Sequence, residues 1–306
     1  MNSCARILVT KKYLSMEIQL PAQVKLVSGH GGLPKLTIQT NRSYAEIYLH
    51  GAHITAFQKN GEPPLLFVSA ASQYETLQPI RGGVPVIFPW FGPRAGLPAH
   101  GFARKTSWEL VAASLDDDGD VTVALRLPEA ALPTHWSAAR LLFHVTVGAK
   151  LTMELSVANL SADKSLDFEN CLHTYFQVGD IAAVNISGLQ GATYIDKVDA
   201  ESTKQERGAT FAINSEVDRV FLNTSSTVEI HDRQLNRVIV VEKIGSASTV
   251  VWNPWIAKSK AMADFGDEEF RQTVCVESGN VGANQITLPP GKTATMKVIL
   301  SSCHKE

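Results

Sequence analysis

Apolar and polar positions alternate with period two over much of the chain. Leu151, Met153, Leu155 and Val157 are interleaved with Thr152, Glu154 and Ser156, the pattern of a strand with one face buried and the other wet. Leu141, Phe143, Val145 and Val147 repeat it just upstream, and Gly148-Ala149-Lys150 is short enough to join the two as a hairpin. Residues 121–127, 226–231, 237–242 and 294–300 read the same way, and residues 232–236 suit another hairpin loop. A 3.6-residue period is nearly absent, and the helical candidates, around 69–77 and 255–263, are short. Short strands separated by turn residues every ~8–12 positions predict a large all-β fold of antiparallel strands, sandwich or barrel.

No low-complexity linker or internal repeat divides the chain, so one domain over residues 21–306 is the simplest organisation. Residues 1–20 are expected to form a weakly ordered extension, with Met16 as an alternative start. Between Arg6 and Lys11 the N-terminus has an apolar run of only three residues, too short for a secretory leader. With 306 residues, 44% apolar, the chain can bury a large core. A net charge of −2 and no Lys/Arg run beyond two residues argue against nucleic acid or an anionic membrane as partner. Four cysteines (Cys4, Cys171, Cys275, Cys303) without a CxxC pair fit free thiols in a reducing compartment. A cytoplasmic protein is expected, and a monomer.

Four clusters contain chemistry that is costly as mere scaffold. In residues 78–93 (QPIRGGVPVIFPWFGP), Gly82-Gly83 after Arg81 lets the backbone turn tightly and approach a ligand, while Pro85 and Pro89 point to an edge or irregular segment. In residues 100–110 (HGFARKTSWEL) a turn can aim His100 and Arg104 into one cleft, where the guanidinium fork suits phosphate or carboxylate. Both residues are equally ordinary as solvated surface groups. In residues 169–179 a continuous strand would put Cys171, His173 and Tyr175 on one face, and in residues 273–282 it would pair Cys275 with Glu277. A carboxylate inside TVCVES is expensive to bury unless it is paired or lines a pocket.

A His and a Glu on two strands are the minimum for general acid–base work, although each also fits a separate hydrogen-bond network. Zinc held by Cys171, His173 and Cys275 has no compact ligand spacing behind it, so no metal or other cofactor is expected. Trp252 and Trp255 around Asn253-Pro254, with Lys258 and Lys260 nearby, suit a sugar surface or a core anchor equally well.

The motifs RGGVPVIFPWFG, HGFAR, LHTYF, VDRVF, VVWNPW and VESGNV, in this order, resemble the hexose-6-phosphate mutarotase branch of the aldose 1-epimerase family, over residues 22–300. The resemblance implies a galactose-mutarotase-like antiparallel β-supersandwich with a few short helices. It implies His173 as general acid, Glu277 as general base, Asp218 holding sugar hydroxyls, and Arg81 and Arg104 binding a phosphate. His100 and Gln78 are implied as further substrate contacts. The activity implied is interconversion of the α and β anomers of a hexose 6-phosphate through an open-chain aldehyde. A mutarotase for neutral aldoses and a non-catalytic sugar-binding protein are the competing expectations.

Overall fold

The computed structural model describes residues 18–304; most of the expected N-terminal extension, with Met16 and Cys4, lies outside them. Two large antiparallel sheets carry the fold. The nine-stranded one runs Thr210–Ala212, Val184–Ser187, Val228–Asp232, Arg237–Ile244, Thr293–His304, Leu151–Asn159, Ala139–Val147, Val121–Arg126, Glu109–Leu115. The eight-stranded one runs Ser202–Gln205, Thr193–Asp196, Val217–Leu222, Ser248–Asn253, Thr273–Asn280, Asn170–Leu172, Val86–Ile87, with Tyr175–Gln177 also paired to Thr273–Asn280. A four-stranded sheet over residues 24–59 and a two-stranded pair complete the set.

The period-two reading holds where it was strongest. Along Leu151–Asn159 every second residue is buried, and Ala139–Val147 does the same. Their inward faces join one apolar cluster that also takes Val251, Val274 and Phe176 from the eight-stranded sheet. Strands Ser248–Asn253 and Thr273–Asn280 are instead buried at every position. One face meets the main core; on the other, a second cluster of Ile87, Cys171, Val220, Val250 and Val281 forms, with Phe91 packed against it. Loops that close over this second face turn an ordinary sheet surface into the wall of a cavity.

Of the two expected helices, the one after Asn253 forms at Trp255–Ala261. Pro254 sits just before it, where a missing N–H is harmless because first-turn donors lack intrahelical acceptors. The expected helix over 69–77 does not form. Its serines take up the backbone groups a helix would use: Ser69 Oγ accepts from Ala71 N–H, Ser72 Oγ from Arg81 N–H, and Ser69 N–H donates to Arg81 O. Short polar side chains competing in this way favour a loop over a helical turn.

The tract around His173 also departs from the continuous strand read from sequence. Asn170–Leu172 and Tyr175–Gln177 both pair with Thr273–Asn280, but the chain kinks between them where Thr174 N–H bonds Leu172 O at 3.0 Å. The register on either side (Leu172 opposite Ser278, Tyr175 opposite Cys275) still brings His173 across from Glu277.

Candidate active site

The RGG tract and the two broken strands hold each other. His173 N–H donates to Pro85 O at 3.1 Å and Tyr175 N–H to Gly83 O at 2.9 Å. Gly83 is required there: its φ is +59°, and a Cβ would lie 2.1 Å from Ile54 O. Val86–Ile87 is the sheet's edge strand, which is where flanking prolines are tolerated.

Beyond Pro89 the chain loops outward and returns at His100-Gly101. Gly101, at φ +70°, packs where a Cβ would meet Phe88 O at 2.0 Å. His100 N–H donates to Gly92 O (2.8 Å), and Gly92 N–H donates back to His100 Nδ1 (3.3 Å). Burial, with Arg104, Lys197 and Arg81 nearby, pushes the His100 pKa down to about 3. It is therefore neutral, and with Nδ1 accepting, its proton sits on Nε2. A short 3₁₀ turn, Ala103–Lys105, then presents Arg104.

These elements enclose a cavity of about 300 Å³ whose walls include Arg81, His100, Arg104, His173, Asp218 and Glu277. Six of the seven site residues expected from sequence thus converge. Gln78 does not: it is exposed, and its carbonyl accepts from His50 Nε2 at 2.6 Å. Lys197, Lys258, Tyr175, Phe91 and Trp252 also line the space. Trp255 packs on Phe270 instead, and Lys260 is exposed.

At the cavity floor His173 Nε2 lies 3.2 Å from Glu277 Oε1. Both side chains are buried, and the His173 ring stacks on Tyr175 with centroids 4.8 Å apart. Burial, helped by Asp218, drives the Glu277 pKa well up; burial, helped by His100 and the two arginines, drives His173 well down. Together these directions describe a pair that carries one proton and no net charge near neutrality. Cys171 Sγ donates to the other carboxylate oxygen, Glu277 Oε2, at 3.5 Å.

The opposite end is cationic. Arg81 is fixed by Asp264 (Nη2 to Oδ2, 3.0 Å) and by Tyr175 Oη (3.0 Å). Arg104 has no carboxylate partner: Nη2 donates to Ala99 O at 2.9 Å, and Nε is buried without a bond among the described residues. Burial and the neighbouring Arg81 push the Arg104 pKa down to about 10. Lys197 Nζ lies 5.0 Å over the Phe91 ring, and Lys258 pairs with Glu216 at 2.9 Å. A buried guanidinium that bonds no carboxylate, beside a second one, is an environment that suits an anion.

Asp218 faces this cavity from strand Val217–Leu222, its pKa raised by burial against the pull of Lys197 and Lys258. Lys197 and the partners of Arg81 were not found from sequence. Lys197 lies just past the end of strand Thr193–Asp196, where nothing in TYIDKVD separates it from a surface lysine.

A larger cavity, about 420 Å³, lies across Phe91 and Pro93, against Trp90 and Trp136. Its carboxylates are already occupied: Glu169 accepts from Phe91 and Gly282 N–H, and Asp167 from Thr287 Oγ1. The smaller cavity is the one that brings the His–Glu pair and the two arginines together.

An all-β shell around a polar cleft, with a His–carboxylate pair at one end and guanidinium groups at the other, suits acid–base work on a polar, anionic small molecule. The chain belongs to the aldose 1-epimerase family, whose model matches residues 34–301. A relative from Cenchrus ciliaris, named for glucose-6-phosphate 1-epimerase activity, is 34% identical over 300 residues, covering 93% of this chain and 89% of its own. One from Escherichia coli, named likewise, is 38% identical over 244 residues, covering 79% and 81%. Among solved structures, a mutarotase from Salmonella typhimurium superposes with TM-score 0.86 at 32% identity, covering 95% and 97%. A galactose mutarotase-like protein from Clostridium acetobutylicum shares the fold at TM-score 0.67 and 15% identity. The β-supersandwich expected from the motifs is therefore the fold. No described helix is long and apolar enough to cross a membrane.

Proposed function

We propose that this protein interconverts the α and β anomers of a hexose 6-phosphate, glucose 6-phosphate foremost, by acid–base ring opening and closure at C1. The observation that carries this reading is the 3.2 Å approach of His173 Nε2 to Glu277 Oε1 in a cavity whose walls also hold Arg81 and Arg104.

The anomeric carbon bears two oxygens, the ring oxygen and the hydroxyl, and an imidazole and a carboxylate side by side address one each. Glu277 takes the proton of the anomeric hydroxyl while His173 gives one to the ring oxygen. The C1–O bond to the ring breaks and an aldehyde forms. Rotation about C1–C2 offers its other face, and closure reverses the transfers. Opening starts from a protonated His173 and an ionised Glu277, and it ends with the proton on Glu277 and none on His173. That end state is the neutral arrangement in which burial also holds the resting pair, so the proton first passes from Glu277 to His173 and ring opening returns it. The pair works with one shared proton throughout. Activity should fall at low pH, where a second proton binds, and at high pH, where the first is lost.

Arg104, with Arg81 and Lys197, binds the phosphate and so fixes C1 against the pair; energy from a remote group is used to orient the reacting one. His100 Nε2–H and Asp218 supply a donor and an acceptor for ring hydroxyls. Phe91 and Trp252 give the apolar faces that sugar C–H surfaces pack on.

The test is two-dimensional exchange NMR of anomer interconversion for glucose 6-phosphate, galactose 6-phosphate, mannose 6-phosphate and unphosphorylated glucose. The reading expects acceleration of at least one hexose phosphate well above that of glucose. Equal acceleration of glucose would reassign the protein to neutral aldoses, and none at all would leave a sugar-binding protein.

A further inference from the structure

Cys275 has no part in the acid–base step, yet it stands beside it. It shares strand Thr273–Asn280 with Glu277, two residues away on the same face. One imidazole nitrogen of His173, the Cys275 Sγ and one Glu277 carboxylate oxygen all lie within 4.8 Å of one another. All three residues are buried, at 7%, 0% and 1% exposure. The Cys275 thiol makes no hydrogen bond among the described residues, and His173 Nδ1 is likewise buried without a partner. Linear spacing hid the group, because His173 arrives from the kink between Asn170–Leu172 and Tyr175–Gln177.

Around a zinc ion, with bonds of ~2.0–2.3 Å to nitrogen, oxygen and sulfur, tetrahedral ligand atoms stand roughly 3.3–3.8 Å apart. The His173–Glu277 pair, at 3.2 Å, is already close to that spacing. The remaining pairs need to close by about 1.5 Å at most, which side-chain torsions can supply. His173 and Glu277 also line the cavity, so a water has access to the fourth position. Three protein ligands and one open position are the pattern of an exchangeable zinc site rather than a closed structural one. A thiolate among the ligands selects zinc or cadmium over magnesium or calcium.

We propose that His173, Cys275 and Glu277 form an inhibitory site for a thiophilic divalent cation, zinc being the physiological representative. Metal–sulfur, metal–nitrogen and metal–oxygen bonds form there. The thiol S–H breaks and the proton shared by His173 and Glu277 is released, both protons going to buffer. Because two of the ligands are the proposed acid and base, the cation excludes the sugar competitively, and this effect on turnover rests on the functional reading above. The binding itself does not.

The experiment titrates cobalt(II), as an optical stand-in for zinc, into a Cys4→Ser/Cys303→Ser double variant of the full chain. Thiolate-to-cobalt charge transfer in the near ultraviolet is recorded, and zinc inhibition of anomer exchange is measured in parallel. The proposal expects a band saturating at one equivalent, reversal by a chelator, and inhibition relieved by raising the hexose phosphate. Adding Cys275→Ser should abolish the band and raise the inhibitory zinc concentration at least tenfold. Absence of the band in the double variant, which needs no change at the site, would overturn the proposal. So would equal inhibition with and without Cys275. Protein that forms the band but never accelerates anomer exchange would keep the metal site and end the epimerase reading, so the two failures are told apart.

Discussion

Replacing Arg104 by methionine should make the protein more stable and a poorer enzyme at once. Arg104 is 9% exposed, and its guanidinium bonds no carboxylate among the described residues. Its pKa is pushed from 12.5 to about 10 by burial and by Arg81. A cation whose folded pKa lies below its unfolded value destabilises the fold fully at every pH below the folded pKa. At pH 7 the whole penalty is present, up to about 3 kcal/mol at 1.36 kcal/mol per tenfold change.

Methionine keeps most of the stem's packing and removes the charge, so the melting temperature of the substrate-free protein should rise by several degrees. The same change removes a charge-assisted contact to the phosphate, worth ~1.5–3 kcal/mol. That corresponds to a loss of about 10- to 150-fold in kcat/KM for a hexose phosphate, mainly through KM, with little change for a neutral sugar. Differential scanning calorimetry with and without inorganic phosphate, beside exchange NMR on both sugars, reads all of these. Wild type should be stabilised by phosphate and Arg104→Met should not. A variant that melts lower, and loses activity equally on glucose and glucose 6-phosphate, would refute the assignment of an unpaired cation waiting for its anion.

Cys171→Ala should raise the apparent pKa on the alkaline limb of the pH–rate profile, because Glu277, which holds the pair's one proton, loses at Oε2 the donor that favours its ionised form. Cys171→Ser should restore the limb, and identical profiles for all three would exclude a role for the thiol. Lys243 is buried at 8% exposure with three hydrogen bonds and, among the described residues, no carboxylate partner, and burial pushes its pKa down to about 8. Its cost is complete below pH 8 and is relieved as pH climbs toward 10.5. Wild type should therefore gain up to about 2 kcal/mol on Lys243→Met between pH 7 and 9.5 in urea unfolding. A gap that does not vary with pH would contradict this.

How much of this was readable in the chain depended on how local the cause was. Strand Leu151–Asn159 announced itself because a one-sided sheet writes its exposure into every second residue. Strand Thr273–Asn280 is covered on both faces and keeps no alternation. There the informative residue was Glu277, too polar for such a tract without a task. His173 was found by motif, but its pairing with Glu277 comes from strand register across 104 positions of sequence, carried through a kink that periodicity does not show. Residues 69–77 carry a helical pattern, but Ser69 Oγ takes the Ala71 N–H and Ser72 Oγ the Arg81 N–H of the RGG tract. Gln78 lies next to that tract, yet its backbone carbonyl is tied to His50, and the residue is exposed and does not line the cavity. Lys197 and Asp264 act through distances that only the fold sets.

The most direct measurement compares wild type with Glu277→Gln and His173→Asn by anomeric-proton exchange in glucose 6-phosphate. Each substitution is close in shape to the residue it replaces, and each removes one proton carrier. If this pair opens the ring, both variants should stay folded and lose ~10²–10⁴-fold in catalysed exchange. If either one exchanges anomers at the wild-type rate, the hydrogen transfers run through other groups, and the arrangement at the cavity floor has been misread.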